Sequence, residues 1–277
     1  MRSAIIGLLA ETSLHPGAEQ STGVVDLPVA RESSTGYPVI VGSSLKGALK
    51  DMVRQRQKDS GTNNIEKEIF GEQNNSGVVA VTDARLLLLP IRSLTGHFKL
   101  VTCPYLLDRF KRDMELAGLE CSFSVPPVWN GQALMLPVAT EQLFLEELSF
   151  EVEACEGQLP PIIDAIRRLI RHNSVQARLE EQLVLVSNDD FKYFASYGLQ
   201  VNARNELNNE TKTSKNLWYE ETIPADSVFY GILMERSGRK ELLDYVKSFF
   251  KERPYIQVGG NETIGQGWCT VAWVEKG

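Results

Sequence analysis

The first fifty residues constrain the fold of this chain more than any other stretch. A strand is predicted over residues 2–11 and a helix over residues 43–58, in which apolar residues recur at spacings of three and four, the period of one buried face. Between them lies the loop sequence GVVDLP, where Asp26 stands between two apolar pairs. We expect these pairs to fix the loop backbone and leave the Asp26 carboxylate pointing outward.

The outer face of the predicted helix is basic. Four cations repeat every four residues along one edge of it: Lys46, Lys50, Arg54 and Lys58. Ser43 or Ser44 is the expected N-cap. Gly42 and Gly47 leave room for a phosphodiester backbone beside the free N–H groups of the first turn. The pattern suits a polyanion such as RNA, and it also fits an ordinary solvated helix face.

Composition excludes several classes of protein. With 277 residues, 43% of them hydrophobic, the chain has enough apolar material for a large core, as one elaborated domain or two small ones. It contains no apolar run long enough for a membrane span and no secretion signal, so we expect a cytoplasmic protein with no membrane partner. The four cysteines are scattered without a C-x-x-C pair, which disfavours a disulfide framework or a structural zinc site.

The net charge of −7 is unevenly distributed along the chain. Residues 1–112 hold 14 Lys and Arg against 11 Asp and Glu, residues 113–166 hold none against 10, and residues 167–277 hold 15 against 15. The acidic segment 113–166 is a candidate contact for a basic surface on a second copy. The neutral to basic flanks leave room for an RNA-facing groove, because the local field attracts phosphates. An acidic protein surface without such a groove has the same composition.

Strands and helices alternate along the rest of the chain, with large insertions between them. We predict β structure at 76–91, 142–154 and 181–186, helices at 104–117, from 160 and at 240–251, and a final strand. Residues 203–222 are polar and rich in asparagine, which predicts a projecting hairpin or loop. The pattern is typical of an α+β or α/β protein.

A glycine-rich loop precedes the final strand, with glycines at Gly259, Gly260, Gly265 and Gly267. It is not a nucleotide-binding P-loop, because Gln266 stands where that motif requires lysine and because a strand follows it. Two interpretations stay open: a tight turn between helix and strand, or a loop whose bare backbone contacts an RNA strand.

Six motifs occur in a characteristic order: GVVDLP at 23–28, GSSLKGALK at 42–50, TDARLL at 82–87, VTCP at 101–104, LWYEE at 217–221 and GGNETIGQG at 259–267. In these motifs the chain resembles, nearly end to end, the RAMP-superfamily backbone subunits of type III-B CRISPR effector complexes, the Cmr complexes. The resemblance implies a single α+β domain over residues 1–277, with an RRM-like, ferredoxin-type palm. It also implies a finger insertion near residues 15–41 and a projecting thumb hairpin near 188–222 that wedges into the guide–target duplex.

The resemblance also implies partners and an activity. The expected partners are guide RNA, target RNA, further copies of the chain in a helical filament, and other Cmr subunits. The implied activity is cleavage of target RNA at Asp26, dependent on Mg²⁺ or Mn²⁺, with one cut per subunit. RNA carries its own nucleophile, the 2′-OH, so Asp26 would act as a metal ligand or as a base.

Three further residues are candidates for catalysis. His15 is a candidate acid or base, although a lone histidine beside proline and glycine is more often a loop residue. Glu220 and Glu221 would supply acid or metal contacts from the thumb, or simply solvate it. Two alternatives to a catalytic backbone subunit remain: a scaffold that tolerates loss of Asp26, and a stand-alone RAMP endoribonuclease that processes CRISPR transcripts without partners.

Overall fold

The computed structural model describes residues 2–17, 24–60, 65–136 and 141–276. The helices in these ranges are α1 (Gly42–Ser60), α2 (Ile65–Phe70), α3 (Pro104–Leu116), α4 (Leu159–Arg167), α5 (Asn173–Gln182), α6 (Asn188–Tyr197) and α7 (Lys240–Glu252). The strands are β1 (Ser3–Ala10), β2 (Val39–Ile40), β3 (Gly71–Glu72), β4 (Asn75–Ser76), β5 (Val79–Val81), β6 (Ala84–Arg92), β7 (Phe98–Thr102), β8 (Gln132–Met135), β9 (Gln142–Leu145), β10 (Leu148–Ala154), β11 (Leu183–Val186), β12 (Gln200–Leu207), β13 (Ser214–Thr222), β14 (Val228–Glu235), β15 (Tyr255–Gln257) and β16 (Trp268–Val274). Gly23, part of the predicted fingers and the side chain of Lys58 lie outside the described residues.

Four strands form the centre of the main sheet in the order β16-β1-β14-β6, with α1 following β1 and α7 joining β14 to β16. This is the βαββαβ arrangement of a ferredoxin-like domain, so the predicted α+β palm is confirmed. In β1, Ile5 pairs with Ile232 on one side and Val274 on the other. Both faces of β1 are covered, and a Cβ at Gly7 would lie 2.1 Å from the Leu169 carbonyl oxygen. Burial on two faces explains why β1 is a continuous apolar run.

The sheet continues beyond the palm through β7, β11, β8, β10 and β9. The strand predicted over 142–154 is a hairpin, with Leu148 opposite Leu145. Strand β8 pairs with both β11 and β10. Among the described residues, no helix is long and apolar enough to cross a membrane.

The predicted thumb is a separate two-stranded sheet of β12 and β13, in which Ala203 lies opposite Tyr219. Most of its side chains are exposed, as expected for a projecting hairpin. The first part of the range predicted for the thumb forms helix α6, so the hairpin begins at Gln200. The described part of the predicted fingers carries short bridges, including Leu27 with Glu220 and Arg31 with Pro38.

Helix α1 begins at Gly42, one residue earlier than predicted. The Gly42 N–H donates to Oδ1 of Asp83 at 2.6 Å, and the Ser44 N–H already donates to the Val41 carbonyl at 2.9 Å. The predicted cap at Ser43 or Ser44 is therefore wrong. A carboxylate from the loop before β6 supplies the acceptor instead, and both serines lie in the first helical turn.

Candidate nucleic-acid interface

Asp26 lies against the edge of β13 that is not paired with β12. Its Oδ2 accepts the Tyr219 N–H at 2.8 Å. The next residue, Leu27, donates its N–H to the Tyr219 carbonyl and accepts the Glu221 N–H, each at 3.0 Å. Asp26 is exposed, and its second oxygen, Oδ1, has no hydrogen-bond partner among the described residues. The backbone thus holds the carboxylate in place while one oxygen faces solvent.

His15 reaches the same edge of β13. Its ring is buried, and Nδ1 lies 2.8 Å from the Glu221 carbonyl oxygen. A carbonyl only accepts hydrogen bonds, so Nδ1 carries a proton and Nε2 is the acceptor of the neutral ring. The His15 carbonyl in turn accepts the Gly260 N–H at 2.8 Å. His15 is therefore fixed between β13 and the glycine-rich loop.

Asp26 and His15 bind backbone groups of Tyr219 and Glu221, two residues apart on one strand. Two residues of extended chain span about 7 Å. In a strand, residues i and i+2 present their backbone groups to the same edge. The structure therefore brings two of the predicted catalytic side chains to one edge. Each has one atom without a hydrogen-bond partner among the described residues, Oδ1 of Asp26 and Nε2 of His15.

Glu220 is buried, with 3% of its surface exposed, and it joins the hairpin to the glycine-rich loop. Its Oε1 accepts from Nη2 of Arg204 at 3.1 Å and from Nδ2 of Asn261 at 2.8 Å. Asn261 has a positive φ of 63°, in the left-handed region that asparagine tolerates better than most residues. These contacts give Glu220 a positioning role at this edge, and a direct part in catalysis stays a prediction.

Glu221 connects the hairpin to the predicted fingers. Its Oε1 accepts from Nη2 of Arg31 at 2.7 Å, and its Oε2 accepts the Val29 N–H at 3.0 Å. Arg31 also donates to the carbonyls of Gly36 and Ala195. Both oxygens of Glu221 are thus engaged in holding the segment that carries Asp26. Sequence reasoning did not single out Arg31, whose partner is 190 residues away in the chain.

The glycine-rich loop approaches His15 more closely than a larger residue would permit. At Gly259, with a φ of 87°, a Cβ would lie 2.7 Å from the His15 carbonyl oxygen. At Gly267, with a φ of 90°, a Cβ would lie 2.3 Å from the Val258 carbonyl oxygen. Gly265 also has a positive φ, but nothing lies within 4 Å of its Cβ position. The loop is therefore a tight turn, and its backbone also forms one wall of the site, so the two interpretations of the sequence are compatible.

The row of cations on α1 is divided by its contacts. Lys46 has no hydrogen-bond or ion-pair partner among the described residues. Lys50 donates from Nζ to the Gly71 carbonyl at 2.5 Å, and Arg54 pairs with Asp51 at 3.1 Å on the exposed face. Among the described members of the row, Lys46 is thus available to bind a phosphate, whereas Lys50 also stabilises the turn after α2.

A groove of about 570 Å³ runs between α1 and the β15–β16 edge of the sheet. It contains Ser44 on one wall and Gly259 on the other, so α1 and the glycine-rich loop face one another. Among the described residues that line it, Lys46, Lys50 and Arg54 do not occur. Residues that sequence reasoning did not single out also line it: Arg56, Arg253, Tyr255 and Trp268. Gly259 lines the groove and lies against the His15 backbone, so the glycine-rich loop is next to both the groove and the β13 edge that carries Asp26.

No group of three or more His, Cys, Asp or Glu side chains in the described residues is arranged to hold a metal ion. Among the described residues, Oδ1 of Asp26 has no partner at the β13 edge, whereas both oxygens of Glu221 accept hydrogen bonds. Glu220 is buried, and its Oε1 accepts two hydrogen bonds. Mg²⁺ commonly keeps several waters and binds through one or two carboxylates together with substrate phosphates. The residues present therefore fit an ion held jointly by Asp26, RNA phosphate and water.

The chain is similar to known proteins over nearly its whole length. The family model described as the RAMP superfamily matches residues 8–270. A relative from Pyrococcus furiosus, named CRISPR system Cmr endoribonuclease Cmr4, is 34% identical over 289 residues, covering 99% of this chain and 97% of the relative. The crystal structure of oligomeric Cmr4 from Pyrococcus furiosus superimposes with a TM-score of 0.81 at 28% identity, covering 100% of this chain and 99% of that one.

A subunit chain in the structure of type III-B Cmr-beta bound to cognate target RNA has a TM-score of 0.79 at 22% identity. The match covers 99% of this chain and 97% of that one, and at this identity it shows the shared fold.

Proposed function

The chain belongs to the RAMP superfamily, and from that premise we propose that it is a guide-RNA-binding backbone subunit of a type III-B CRISPR complex that also cleaves target RNA. The relative that is 34% identical is named a Cmr endoribonuclease, and a similar solved structure is an oligomeric Cmr4. These names support an RNA substrate, further copies of the chain and other Cmr subunits as partners. We propose that the RNA partners are guide RNA and target RNA. One observation carries the proposal for cleavage: Asp26 Oδ1 and His15 Nε2 lie at one edge of β13, and no described residue forms a hydrogen bond with either atom.

The proposed reaction uses the nucleophile that RNA carries. The 2′-oxygen attacks the adjacent phosphorus, and the proton of the 2′-OH passes to Oδ1 of Asp26. The bond from phosphorus to the 5′-oxygen breaks, and that oxygen takes a proton from Nε2 of His15 in its cationic form. The products are a 2′,3′-cyclic phosphate and a 5′-hydroxyl. Acid–base assistance of this kind contributes about 10²- to 10⁴-fold to a rate.

The same carboxylate oxygen has a second use. A bound Mg²⁺ or Mn²⁺ ion would supply Lewis-acid polarisation of the phosphoryl oxygen, and Asp26 is the residue that would hold it. In that case the proton of the 2′-OH would pass to solvent water, and the role of the carboxylate would be to fix the phosphate at the β13 edge. Both roles require the negative charge of Asp26, and both leave His15 as the proton donor to the 5′-oxygen.

RNA is held through its backbone in this proposal. Lys46, the first turn of α1 at Ser43 and Ser44, and the N–H groups of the glycine-rich loop meet phosphates, and none of them distinguishes one base from another. The guide strand would then lie along the groove and Gly259, with the paired target strand at His15 and Asp26. Sequence would be read by base pairing between guide and target, so the protein needs only to position the duplex.

The test is the Asp26→Asn variant in the assembled complex, with guide RNA and labelled complementary RNA in excess Mg²⁺. Asparagine keeps the shape and the acceptor for the Tyr219 N–H but removes the charge. We expect cleavage to fall by about 10²-fold or more, with guide binding and assembly unchanged. Asp108→Asn, which changes an exposed carboxylate on α3, is the matched control and should cleave normally. Near-normal cleavage by Asp26→Asn would leave a non-catalytic scaffold as the better account.

A further inference from the structure

The groove between α1 and the β15–β16 edge carries features beyond a generic phosphate-binding surface. Two guanidinium groups line it, from Arg56 on α1 and from Arg253 just after α7. Two aromatic rings line it as well, Tyr255 with 43% of its surface exposed and Trp268 with 41%. Cations and exposed rings together are the two elements with which proteins hold single-stranded nucleic acid.

Arg56 is fixed in place before any ligand arrives. Its Nη1 donates to the Phe249 carbonyl at 2.7 Å, and its guanidinium carbon lies 4.8 Å from the centroid of the Phe249 ring. The side chain is thus held between α1 and α7 by one hydrogen bond and one ring face. The guanidinium thus contributes a positive charge in a fixed position on the wall of the groove.

Arg253 places a second positive charge close to the first. Burial and, next to it, the charge of Arg253 lower the pKa of Arg56, while Glu252 raises it. Arg253 is exposed, and no described residue forms an ion pair with it. Of the two carboxylates in the groove, Asp51 is paired with Arg54, and Glu262 stands on the short turn of the glycine-rich loop. Two neighbouring guanidinium groups repel each other, and an anion shared between them removes that repulsion.

The two rings lie on the same face of the sheet. Gln257 is opposite Trp268, and Tyr255 is two residues before Gln257 on the same strand. The rings are therefore diagonal neighbours, whose backbone positions are about 7–8 Å apart. The Gln257 amide donates to the carbonyls of Glu262 and Gln266, which fixes the surface between the rings. This face gives a planar group a rigid aromatic surface to stack on.

We propose that the groove holds one nucleotide of the RNA strand, with its phosphate shared by Arg56 and Arg253 and its base stacked on Tyr255 or Trp268. The volume of about 570 Å³ lies within the usual range for small-ligand sites. The inference rests on the RNA-binding part of the proposed function and is independent of cleavage. It extends the RNA-binding surface from the first turn of α1 to Arg56. It also makes base stacking part of the affinity, without selection for base identity.

The test measures binding of the full chain to labelled oligo-uridine over a range of salt concentrations. Tyr255→Ala and Trp268→Ala each remove a ring, and loss of the stacking ring should weaken binding by about 5- to 150-fold. Arg253→Ala should lower the slope of log affinity against log salt by about 0.7. Matched controls outside the groove are Tyr197→Ala, on α6, and Arg171→Ala, which should leave both quantities unchanged.

A second probe separates stacking from a loss of fold. Replacing single nucleotides of the oligomer by abasic ones should weaken binding to the wild type and to the ring-preserving variants Tyr255→Phe and Trp268→Phe. The alanine variant that lacks the stacking ring should bind the abasic and intact oligomers equally, and its urea unfolding midpoint shows that it is folded. Unchanged affinity in both alanine variants would overturn the proposal. Loss of self-association by these variants in the absence of RNA would also overturn it, because the groove would then be a contact between copies of the chain. Cleavage by the assembled complex is a separate measurement, and it tests the proposed function independently of this groove.

Discussion

The Arg31–Glu221 ion pair should be the contact on which the geometry of the Asp26 segment most depends. Arg31 reaches Glu221 Oε1 at 2.7 Å, with only 9% of the Glu221 side chain exposed. Arg31→Ala leaves that carboxylate buried with the Val29 N–H as its remaining described donor. Removing one partner of a buried pair costs about 3–5 kcal/mol. Because a quarter of the Arg31 side chain reaches solvent, we expect the lower end, about 3 kcal/mol.

Urea unfolding of the purified chain measures this cost directly. The control is Arg54→Ala, which breaks an exposed pair with Asp51 and should cost less than about 1 kcal/mol. The double variant Arg31→Ala with Glu221→Gln should recover part of the loss, because a neutral amide is easier to bury than an unpaired carboxylate. A free energy of unfolding for Arg31→Ala within about 0.5 kcal/mol of wild type would refute the structural role assigned to the pair.

Two further outcomes follow from contacts of the interface. Lys46→Ala should lower the slope of log RNA affinity against log salt by about 0.7, since no described residue pairs with Lys46. Lys50→Ala should lower this slope less and should also destabilise the fold, because its hydrogen bond to the Gly71 carbonyl is lost. Equal slopes and equal stabilities for the two variants would contradict this. Gly265→Ala should cost roughly 1–2 kcal/mol, the strain of a positive φ. Gly267→Ala should cost clearly more, because its Cβ would also clash with the Val258 carbonyl oxygen. Urea unfolding of both variants tests this order.

Local pattern was sufficient for most of the regular elements. Strand β1, helix α1 and helix α3 each follow from the pattern of neighbouring residues, and the ends of each were predicted to within about two residues. Helix α6 carried a readable signal that the polar composition of the following hairpin obscured. Its buried residues Phe191, Phe194 and Ala195 have helical spacing, and Ser187 accepts the Asp190 N–H as an N-cap.

Other features had no local signal. Strand β8 follows a proline pair and forms because β10 and β11 offer edges on both sides of it, which is a tertiary effect. The sequence predicted two residues of the candidate site, Asp26 and His15. It did not predict that both lie at the same edge of β13. Each meets β13 across about 200 positions of chain, and no periodicity reports such a pairing. The groove between Arg56 and Tyr255 was missed for the same reason.

In the proposed reaction, the target RNA supplies its own nucleophile, the 2′-OH, at the β13 edge. The most direct measurement uses the assembled complex and a target RNA with a single 2′-deoxynucleotide at one cleaved position. The account predicts that the cut disappears at that position alone, while the remaining cuts leave 2′,3′-cyclic phosphate and 5′-hydroxyl ends that depend on Asp26. A cut that persists at the 2′-deoxy position would mean that water attacks the phosphorus, and it would contradict the roles assigned to Asp26 and His15.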